Sequence, residues 1–141
     1  MMLVLDTDHV TEYQRGTSAA AQRLKQRLDS AAEPFATTII TVEENMRGWM
    51  AAIRRINDPR RQIDGYSRFQ RLFNFCATWN ILEWNAAVVD EFESLGQAGI
   101  RVGTMDLKIA SIVLANDATL LTRNTNDFNR IPGLRVEDWL S

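Results

Sequence analysis

The apolar residues of this chain fall into short continuous runs, separated by longer segments in which they recur at helical spacing. Continuous runs of this kind indicate buried strands, and a period of about 3.6 residues indicates amphipathic helices. The predicted strands are residues 3–5, 35–40, 81–82, 119–122 and 134–139, the last with the tail of the chain. The predicted helices are residues 19–32, 41–56, 61–75, 86–95 and 106–116, with a turn or short helix at 124–130. This alternation predicts an α/β fold, in which a mainly parallel sheet carries helices on both faces.

Two of the predicted helices, 41–56 and 61–75, are separated by the helix-breaking segment Asn57-Asp58-Pro59 and should form a hairpin. One side of the second helix is apolar through Ile63, Tyr66, Phe69 and Phe73. We expect these side chains to pack in the core together with Trp49 and Met50 of the first helix. The alternative interpretation is a groove that receives a partner helix.

The composition is typical of an ordinary folded protein, with 45% apolar and 24% charged residues. The length of 141 residues predicts a single domain, residues 1–141. Cys76 is the single cysteine, so no internal disulfide forms, and it lies in an aromatic-rich stretch that predicts a packing role. Neither a signal peptide nor an apolar run of roughly 20 residues is present, and we therefore expect a cytoplasmic protein.

The net charge of −2 argues against simple nucleic-acid binding, because such proteins usually carry a basic surplus. The total conceals a basic segment, in which seven arginines stand against only Asp58 and Asp64. These arginines are Arg47, Arg54, Arg55, Arg60, Arg61, Arg68 and Arg71. Guanidinium groups bind phosphate and stack on bases, so the segment is either an RNA-facing surface or a solvated helical face.

Four acidic residues stand at the ends of predicted elements, where open parallel sheets bind their ligands. Asp6 ends the first strand, Glu44 lies early in the helix after the second strand, Asp106 opens a helix, and Asp127 follows the fourth strand. Carboxylates that converge there would repel one another unless a cation neutralised them. Oxygen ligands select a hard divalent ion, Mg²⁺ or Mn²⁺, which suits phosphodiester hydrolysis.

Three of these acids also have a purely structural interpretation. Thr41 to Glu44 reads as a capping box, with Thr41 as the N-cap and Glu44 at the third helical position. Asp127 fits a similar cap after Asn124, and Asp106 would favour the positive end of its helix. Asp6 differs from the others, because an acid directly after a buried strand is costly without a partner.

Several other kinds of site are excluded by the residues available. His9 is the only histidine, and a surface or capping role is expected for it rather than a place in a Ser–His or Cys–His catalytic pair. The chain lacks the ligands for a zinc site, a G-x-G-x-x-G fingerprint and a P-loop.

The four acids and their surroundings resemble the motifs of PIN-domain ribonucleases, in particular the VapC toxins of type II toxin–antitoxin systems. The matching segments are Leu3-Val4-Leu5-Asp6-Thr7-Asp8, Ile40 to Gly48, Asp106 to Ser111, and Leu121 to Phe128 followed by Ile131-Pro132-Gly133-Leu134. In the second motif the functional glutamate precedes a glycine by four residues, which selects Glu44 over Glu43. The four motifs occur in the family's order and span nearly the whole chain.

The resemblance implies a PIN-like three-layer α/β/α sandwich with Asp6, Glu44, Asp106 and Asp127 around one or two Mg²⁺ or Mn²⁺ ions. Asp6 and Asp106 would hold the metal directly, and Glu44 and Asp127 would orient waters or complete a second site. Thr122 and Asn124 are expected to orient these carboxylates by hydrogen bonds. The resemblance further implies cleavage of tRNA or ribosomal RNA, inhibition by a VapB-type antitoxin, and a homodimer.

Two other functions fit parts of the sequence. Asp6-Thr7-Asp8-His9-Val10 also matches the nucleophile motif of haloacid-dehalogenase-type phosphatases, although a later lysine and a further acidic pair do not occur at recognisable spacing. The second alternative is a non-catalytic PIN-like module that binds RNA or a protein partner.

Overall fold

The structure is a computed structural model that describes residues Met1 to Ser141. Its strands are β1 (Leu3–Leu5), β2 (Phe35–Thr38), β3 (Ile81–Leu82), β4 (Thr119–Leu121) and β5 (Arg135–Glu137). Its helices are α1 (Thr7–Arg15), α2 (Ala19–Ala31), α3 (Ile39–Arg54), α4 (Ile63–Thr78), α5 (Ala86–Gln97), α6 (Thr104–Ala115) and α7 (Thr125–Phe128). Every predicted strand is present, and the α/β prediction is confirmed.

The five strands form one sheet in the order β3-β2-β1-β4-β5, and all neighbouring pairs are parallel. β1 lies at the centre, where Leu5 stands opposite Leu121 of β4. The chain first builds the sheet outward from β1 to β3 and then crosses to the other side of β1 to form β4. This reversal places a crevice between the carboxyl ends of β1 and β4, which is where such sheets bind ligands.

Two hydrophobic cores lie on opposite faces of the sheet. Alternate residues of β1 point to opposite faces, so Val4 belongs to one core and Leu5 to the other. The first core includes Val88 of α5 and Ile109 of α6, and the second includes residues of α1, α2 and α4. The predicted three layers, with helices on both faces, are confirmed.

Helix α1 was not predicted from the hydrophobic pattern. Residues 7–15 read as a polar stretch, but they form a helix that begins at the cap Asp6 and ends at Gly16, whose φ of 70° suits glycine. Its fully buried residues are His9 and Val10. A polar side chain therefore takes a core position, and this weakens the apolar periodicity on which the prediction depends.

Helix α3 begins at Ile39, and its N-cap is Thr38, so the capping box that begins at Thr41 is wrong. The Thr38 hydroxyl accepts a hydrogen bond from the backbone amide of Thr41 at 3.0 Å. Glu44 consequently lies in the second turn of α3 and takes no part in the cap. The structural interpretation of Glu44 is thereby removed.

The apolar side of α4 is largely exposed, so its predicted place in the core is wrong. Ile63 is 66% exposed, Tyr66 57% and Phe73 50%, and Met50 of α3 is also exposed. The buried residues of α4 are Gly65, Leu72 and Phe75. The helix turns this other side inward because Gly65 lies against Ile53 of α3, where a Cβ atom would come within 2.9 Å of the Ile53 side chain. Cys76 packs against the second core, as predicted.

None of the helices has both the length and the apolar character that crossing a bilayer requires.

Candidate active site at the carboxyl ends of the strands

Asp6 lies in the crevice between β1 and β4 and is held there from two sides. One carboxylate oxygen accepts the backbone amide of Thr7 at 2.8 Å, since Asp6 is the N-cap of α1. The other accepts the hydroxyl of Thr122 at 2.8 Å. The side chain is buried, and burial raises the pKa of Asp6 to about 6, against the opposing effect of these two hydrogen bonds. The negative charges of Asp8 and Asp106 add to the rise.

Thr122 is fully buried just beyond β4, and its hydroxyl has a defined direction. The hydroxyl oxygen accepts the backbone amide of Asn124 at 3.0 Å, which leaves the hydroxyl proton for Asp6. A longer contact of 3.4 Å joins the same hydroxyl to Asp8. The structure thus brings Thr122 into contact with the acid that it was predicted to orient.

Glu44 faces the same crevice from α3. Burial raises its pKa, and the charges of Asp6 and Asp106 raise it further. Its neighbour Glu43 has a different environment, because it forms an ion pair with Arg47 at 2.7 Å on the outer side of the helix. Of the two adjacent glutamates, Glu44 is the one that lies close to the other acids.

Asp106 and Asp127 complete the acidic group from α6 and α7. Burial raises the pKa of Asp106, and the charge of Asp127 adds to this rise. The Asn124 amide nitrogen lies 3.5 Å from an Asp106 carboxylate oxygen, at the limit of a hydrogen bond. Asp127 is 44% exposed and lies 3.9 Å from Arg130. It therefore occupies the rim of the group, while Asp6 lies at its floor.

The acidic group has no counter-ion of its own on its inner side. Asp6, Glu44 and Asp106 form no ion pair with any arginine, lysine or histidine. The Thr7 hydroxyl is buried without a partner at hydrogen-bond geometry, and it lies close enough to Glu44 to lower the pKa of that group. Three like charges and an orphaned hydroxyl indicate a place for a cation with its water or substrate ligands.

The donor set at this edge of the sheet consists of oxygen atoms alone, which is what Mg²⁺ and Mn²⁺ prefer. No three acidic, histidine or cysteine side chains of the chain are arranged so that they could hold a metal ion by themselves. Magnesium sites in enzymes typically use one or two protein carboxylates and take their other ligands from water and phosphate. The residues present fit an ion held in that open manner.

His9 is fully buried, so the expected surface or capping role is wrong. Its Nε2 atom accepts the backbone amide of Trp139 at 3.1 Å, and its Nδ1 atom lies 2.6 Å from Asp8. A backbone amide can only donate, so the ring proton stands on Nδ1 and is donated to Asp8. Because His9 stands alone in a polar stretch, its burial could not be predicted from the sequence.

Asp8 connects His9 to the acidic group. Its second oxygen accepts the backbone amide of Arg123 at 3.0 Å. Burial alone would raise the pKa of Asp8, but the hydrogen bonds from His9 and Arg123 outweigh it and lower the pKa. The carboxylate is therefore ionised and fully engaged by donors of the protein, which makes it a support for Thr122.

No protein-family model matches the chain. Among curated proteins it is similar to ribonuclease VapC2 of Rickettsia felis, with 49% identity over 45 residues, 32% of this chain and 34% of that protein. It is also similar to the tRNA(fMet)-specific endonuclease VapC of Shigella flexneri, with 32% identity over 69 residues, 46% of this chain and 52% of that protein. The matched segments span about a third to a half of these relatives' own length.

Similarity to solved structures extends over the whole chain. The fold matches VapBC-1 from nontypeable Haemophilus influenzae with a TM-score of 0.73 and 21% identity, covering 100% of both chains. It matches VapBC2 from Rickettsia felis, bound to a DNA fragment from its promoter, with a TM-score of 0.71 and 24% identity over 99% of both chains. The chain therefore has the PIN-type fold of the VapC proteins in VapBC pairs, and its predicted resemblance to VapC ribonucleases is confirmed.

Proposed function

We propose that this chain is an endoribonuclease that depends on Mg²⁺ or Mn²⁺ and acts as the toxin of a VapBC-type pair. The observation that carries the proposal is the group formed by Asp6, Glu44 and Asp106, three carboxylates with raised pKa values and no cationic side chain among them. Such a group is costly unless a metal ion balances its charge. The names of the curated relatives, a ribonuclease and a tRNA endonuclease, support the same reaction class.

Asp6 and Asp106 are the residues that would hold the metal directly. The Thr7 amide and the Thr122 hydroxyl fix both oxygens of Asp6, so its orientation does not depend on the ligand. A bound ion would lower the pKa of a water molecule and neutralise negative charge on the phosphodiester. The protein's own contribution is to fix the direction of Asp6, while the bound cation would favour the ionised form of the carboxylates against their raised pKa values.

Glu44 would orient a metal-bound water, and we propose that it also takes the proton from that water. A general base works best when its pKa lies nearer to the working pH than that of an ordinary carboxylate, and burial moves the pKa of Glu44 in that direction. Asp127, at the rim, would orient water or complete a second metal position beside Asp106. Thr122 and Asn124 would act as positioning residues for Asp6 and Asp106, respectively.

The narrower substrate would be tRNA or ribosomal RNA, which is supported by the tRNA specificity in the name of one relative. The protein partner would be a VapB-type antitoxin, which is supported by solved VapBC pairs with the same fold. A homodimer stays a prediction of the family resemblance.

The rival phosphatase would require Asp6 to attack phosphorus as a free nucleophile. The later lysine and acidic pair that such a phosphatase also needs do not occur at recognisable spacing, and the curated relatives are nucleases. The nuclease is therefore the function that the geometry supports best.

The test is cleavage of total cellular RNA by the purified protein with Mn²⁺ or Mg²⁺, with EDTA, and by Asp6→Asn. Glu43→Gln serves as a matched control, because it removes a carboxylate from the same helix outside the crevice. We expect discrete fragments from the wild type and Glu43→Gln, and none with EDTA or Asp6→Asn. RNA binding without cleavage in either metal would instead support the non-catalytic module.

A further inference from the structure

A cleft of about 490 Å³ opens beside the acidic group, between helices α1, α3 and α4. Its cationic side chains are Arg15, Arg68 and Arg71, and the amides of Gln14 and Asn45 supply neutral donors and acceptors. Only two of its eight lining residues are hydrophobic, Trp49 and Leu72, and none is acidic. The lining is thus suited to a polar, negatively charged ligand.

The positive charge of the cleft is only weakly compensated. Arg15 lies 3.5 Å from Glu12, and Arg68 lies 3.1 Å from Asp64. The two guanidinium groups are solvent-exposed, as is Asp64, whereas Glu12 is mostly buried. Ion pairs of exposed arginines are weak and easily exchanged for another anion. Arg71 has no carboxylate partner. Three guanidinium groups are therefore available to a ligand.

The cleft begins next to the proposed catalytic residues. Thr11, which lines it, is one helical turn beyond Thr7 on α1, and Asn45 directly follows Glu44 on α3. One turn of helix corresponds to about 5.4 Å. The cleft therefore lies within about one helical turn of residues that border the acidic group, a distance that a chain-like ligand with its reacting phosphate at that group can span.

We infer that this cleft binds the nucleotides of single-stranded RNA that flank the bond to be cut. The inference rests on the proposed function, because RNA is the ligand that joins the two places. The arginines would contact backbone phosphates, for which the planar guanidinium is well suited. The Arg68 guanidinium carbon lies over the Trp49 ring, 5.6 Å from the ring centroid. Trp49 offers an aromatic ring on which a base can stack.

A protein segment would also be attracted by arginines, but the lining argues against it as the main ligand. Peptides that dock on helical surfaces usually insert apolar anchors into apolar grooves. Here six of the eight lining residues are polar or charged, and three of these are arginines. RNA would contact all three kinds of group, with phosphates at the arginines, polar atoms at the side-chain amides and a base on the ring of Trp49.

The test measures RNA binding separately from cleavage. The Asp6→Asn protein in EDTA is titrated against a fluorescent 12-nucleotide poly-U RNA, and anisotropy is followed at several salt concentrations. Arg68→Ala, Arg71→Ala and their combination are compared in this background. Arg60→Ala is the matched control, because this exposed arginine belongs to the α3–α4 connection and lies outside the cleft.

We expect the combined variant to bind about 10- to 100-fold more weakly, since each lost charged hydrogen bond costs about tenfold. The slope of log affinity against log salt should become less steep by about 1.4. Two phosphate contacts are lost, and each contributes roughly 0.7 on a single strand. Arg60→Ala should bind within about twofold of its parent. Arg71→Lys should retain part of the affinity that Arg71→Ala loses, because lysine keeps the charge but not the planar guanidinium.

Equal binding by the combined variant and Arg60→Ala would overturn the inference, as would absence of any RNA binding. Either result would leave a protein partner as the ligand of the cleft. Failure of the nuclease is distinguishable, because a protein that binds RNA through these arginines but cuts nothing refutes the proposed function alone. Far-ultraviolet circular dichroism of each variant checks that the fold is retained.

Discussion

His9 and Trp139, 130 residues apart, are joined by a buried hydrogen bond in which the Trp139 amide donates to the imidazole Nε2 atom at 3.1 Å. The other ring nitrogen, Nδ1, donates a hydrogen bond to Asp8. Asp8 in turn accepts the backbone amide of Arg123 and so holds the loop after β4. One side chain thus ties the end of the chain to helix α1 and, through Asp8, to the loop that carries Thr122.

Loss of this connection should destabilise the fold. His9→Ala would leave the Trp139 amide without its acceptor, deprive Asp8 of a donor and open a cavity in a fully buried position. We expect a loss of about 3 kcal/mol in the free energy of unfolding, measured by urea denaturation. Gln14→Ala, an exposed position on the same helix, is the control and should change stability by less than about 0.5 kcal/mol. A loss of under about 1 kcal/mol for His9→Ala would show that the connection has little weight.

Thr122 should control metal affinity through Asp6. In Thr122→Val the shape is nearly kept, but Asp6 loses the donor at 2.8 Å that fixes one oxygen. Loss of such an orienting partner typically weakens metal binding by about 10- to 100-fold, and we expect this for Mn²⁺ by isothermal titration calorimetry. Thr119→Val is the matched control, since the Thr119 hydroxyl at the start of β4 contacts only the sulfur of Met1. Equal Mn²⁺ affinities of the two variants would count against the role given to Thr122.

The adjacent residues Glu43 and Glu44 should differ sharply in their effect on catalysis. Glu44→Gln removes the proposed base, and RNA cleavage should fall by at least about 100-fold. Glu43→Gln breaks only an exposed ion pair with Arg47, which is worth a few tenths of a kcal/mol, so its rate should stay within about twofold. Initial rates at saturating Mn²⁺ provide the comparison. If both variants lost activity equally, the choice of Glu44 would be wrong.

The raised pKa of Asp6 predicts that the metal-free protein gains stability on mild acidification. The pKa is about 6 in the fold and 3.8 in the reference state, so the protonated form is the one that folding favours. This stabilising contribution is complete below about pH 4 and is lost as the pH rises through about 6. In EDTA, lowering the pH from 7.5 to 5 should therefore add about 1.4 kcal/mol to the free energy of unfolding through Asp6.

Asp6→Asn provides the control for this pH effect, because asparagine does not titrate. The variant should be more stable than the wild type at pH 7.5 without metal, and the difference should shrink at pH 5. With saturating Mn²⁺ the wild type should instead lose stability on acidification. The ion binds the ionised carboxylate, so the stabilisation that Mn²⁺ provides falls as the carboxylate is protonated. A wild type that loses stability relative to Asp6→Asn between pH 7.5 and 5 in EDTA would contradict the assigned environment of Asp6.

The sheet and most helices could be predicted from the sequence because their residues follow simple rules. Leu3–Leu5 and Thr119–Leu121 are buried on both faces of a parallel sheet, so each reads as a continuous apolar run. The acids of the site could be selected because residues just beyond parallel strands share one edge. Asp6 and Glu44 lie together at that edge, although they come from distant parts of the chain.

Features that depend on long-range packing were not predictable. The burial of His9 depends on the Trp139 amide at the other end of the chain, which no local pattern reveals. The close approach of Gly65 to Ile53 determines which side of α4 faces the core. The more apolar side, with Ile63, Tyr66 and Phe73, is therefore exposed to solvent. The start of α3 was misplaced because Thr38 and Thr41 are both good caps, and only the end of β2 decides between them.

Metal-dependent cleavage through Asp6 is tested most directly by the initial rate of RNA cleavage as a function of Mn²⁺ concentration, for the wild type, Asp6→Asn and Glu43→Gln. We expect the EDTA-treated wild type to be inactive and its rate to rise with Mn²⁺ to saturation. Glu43→Gln should follow the same curve, and Asp6→Asn should stay at background throughout. Cleavage by Asp6→Asn at the wild-type rate, or full activity of the EDTA-treated wild type, would contradict it.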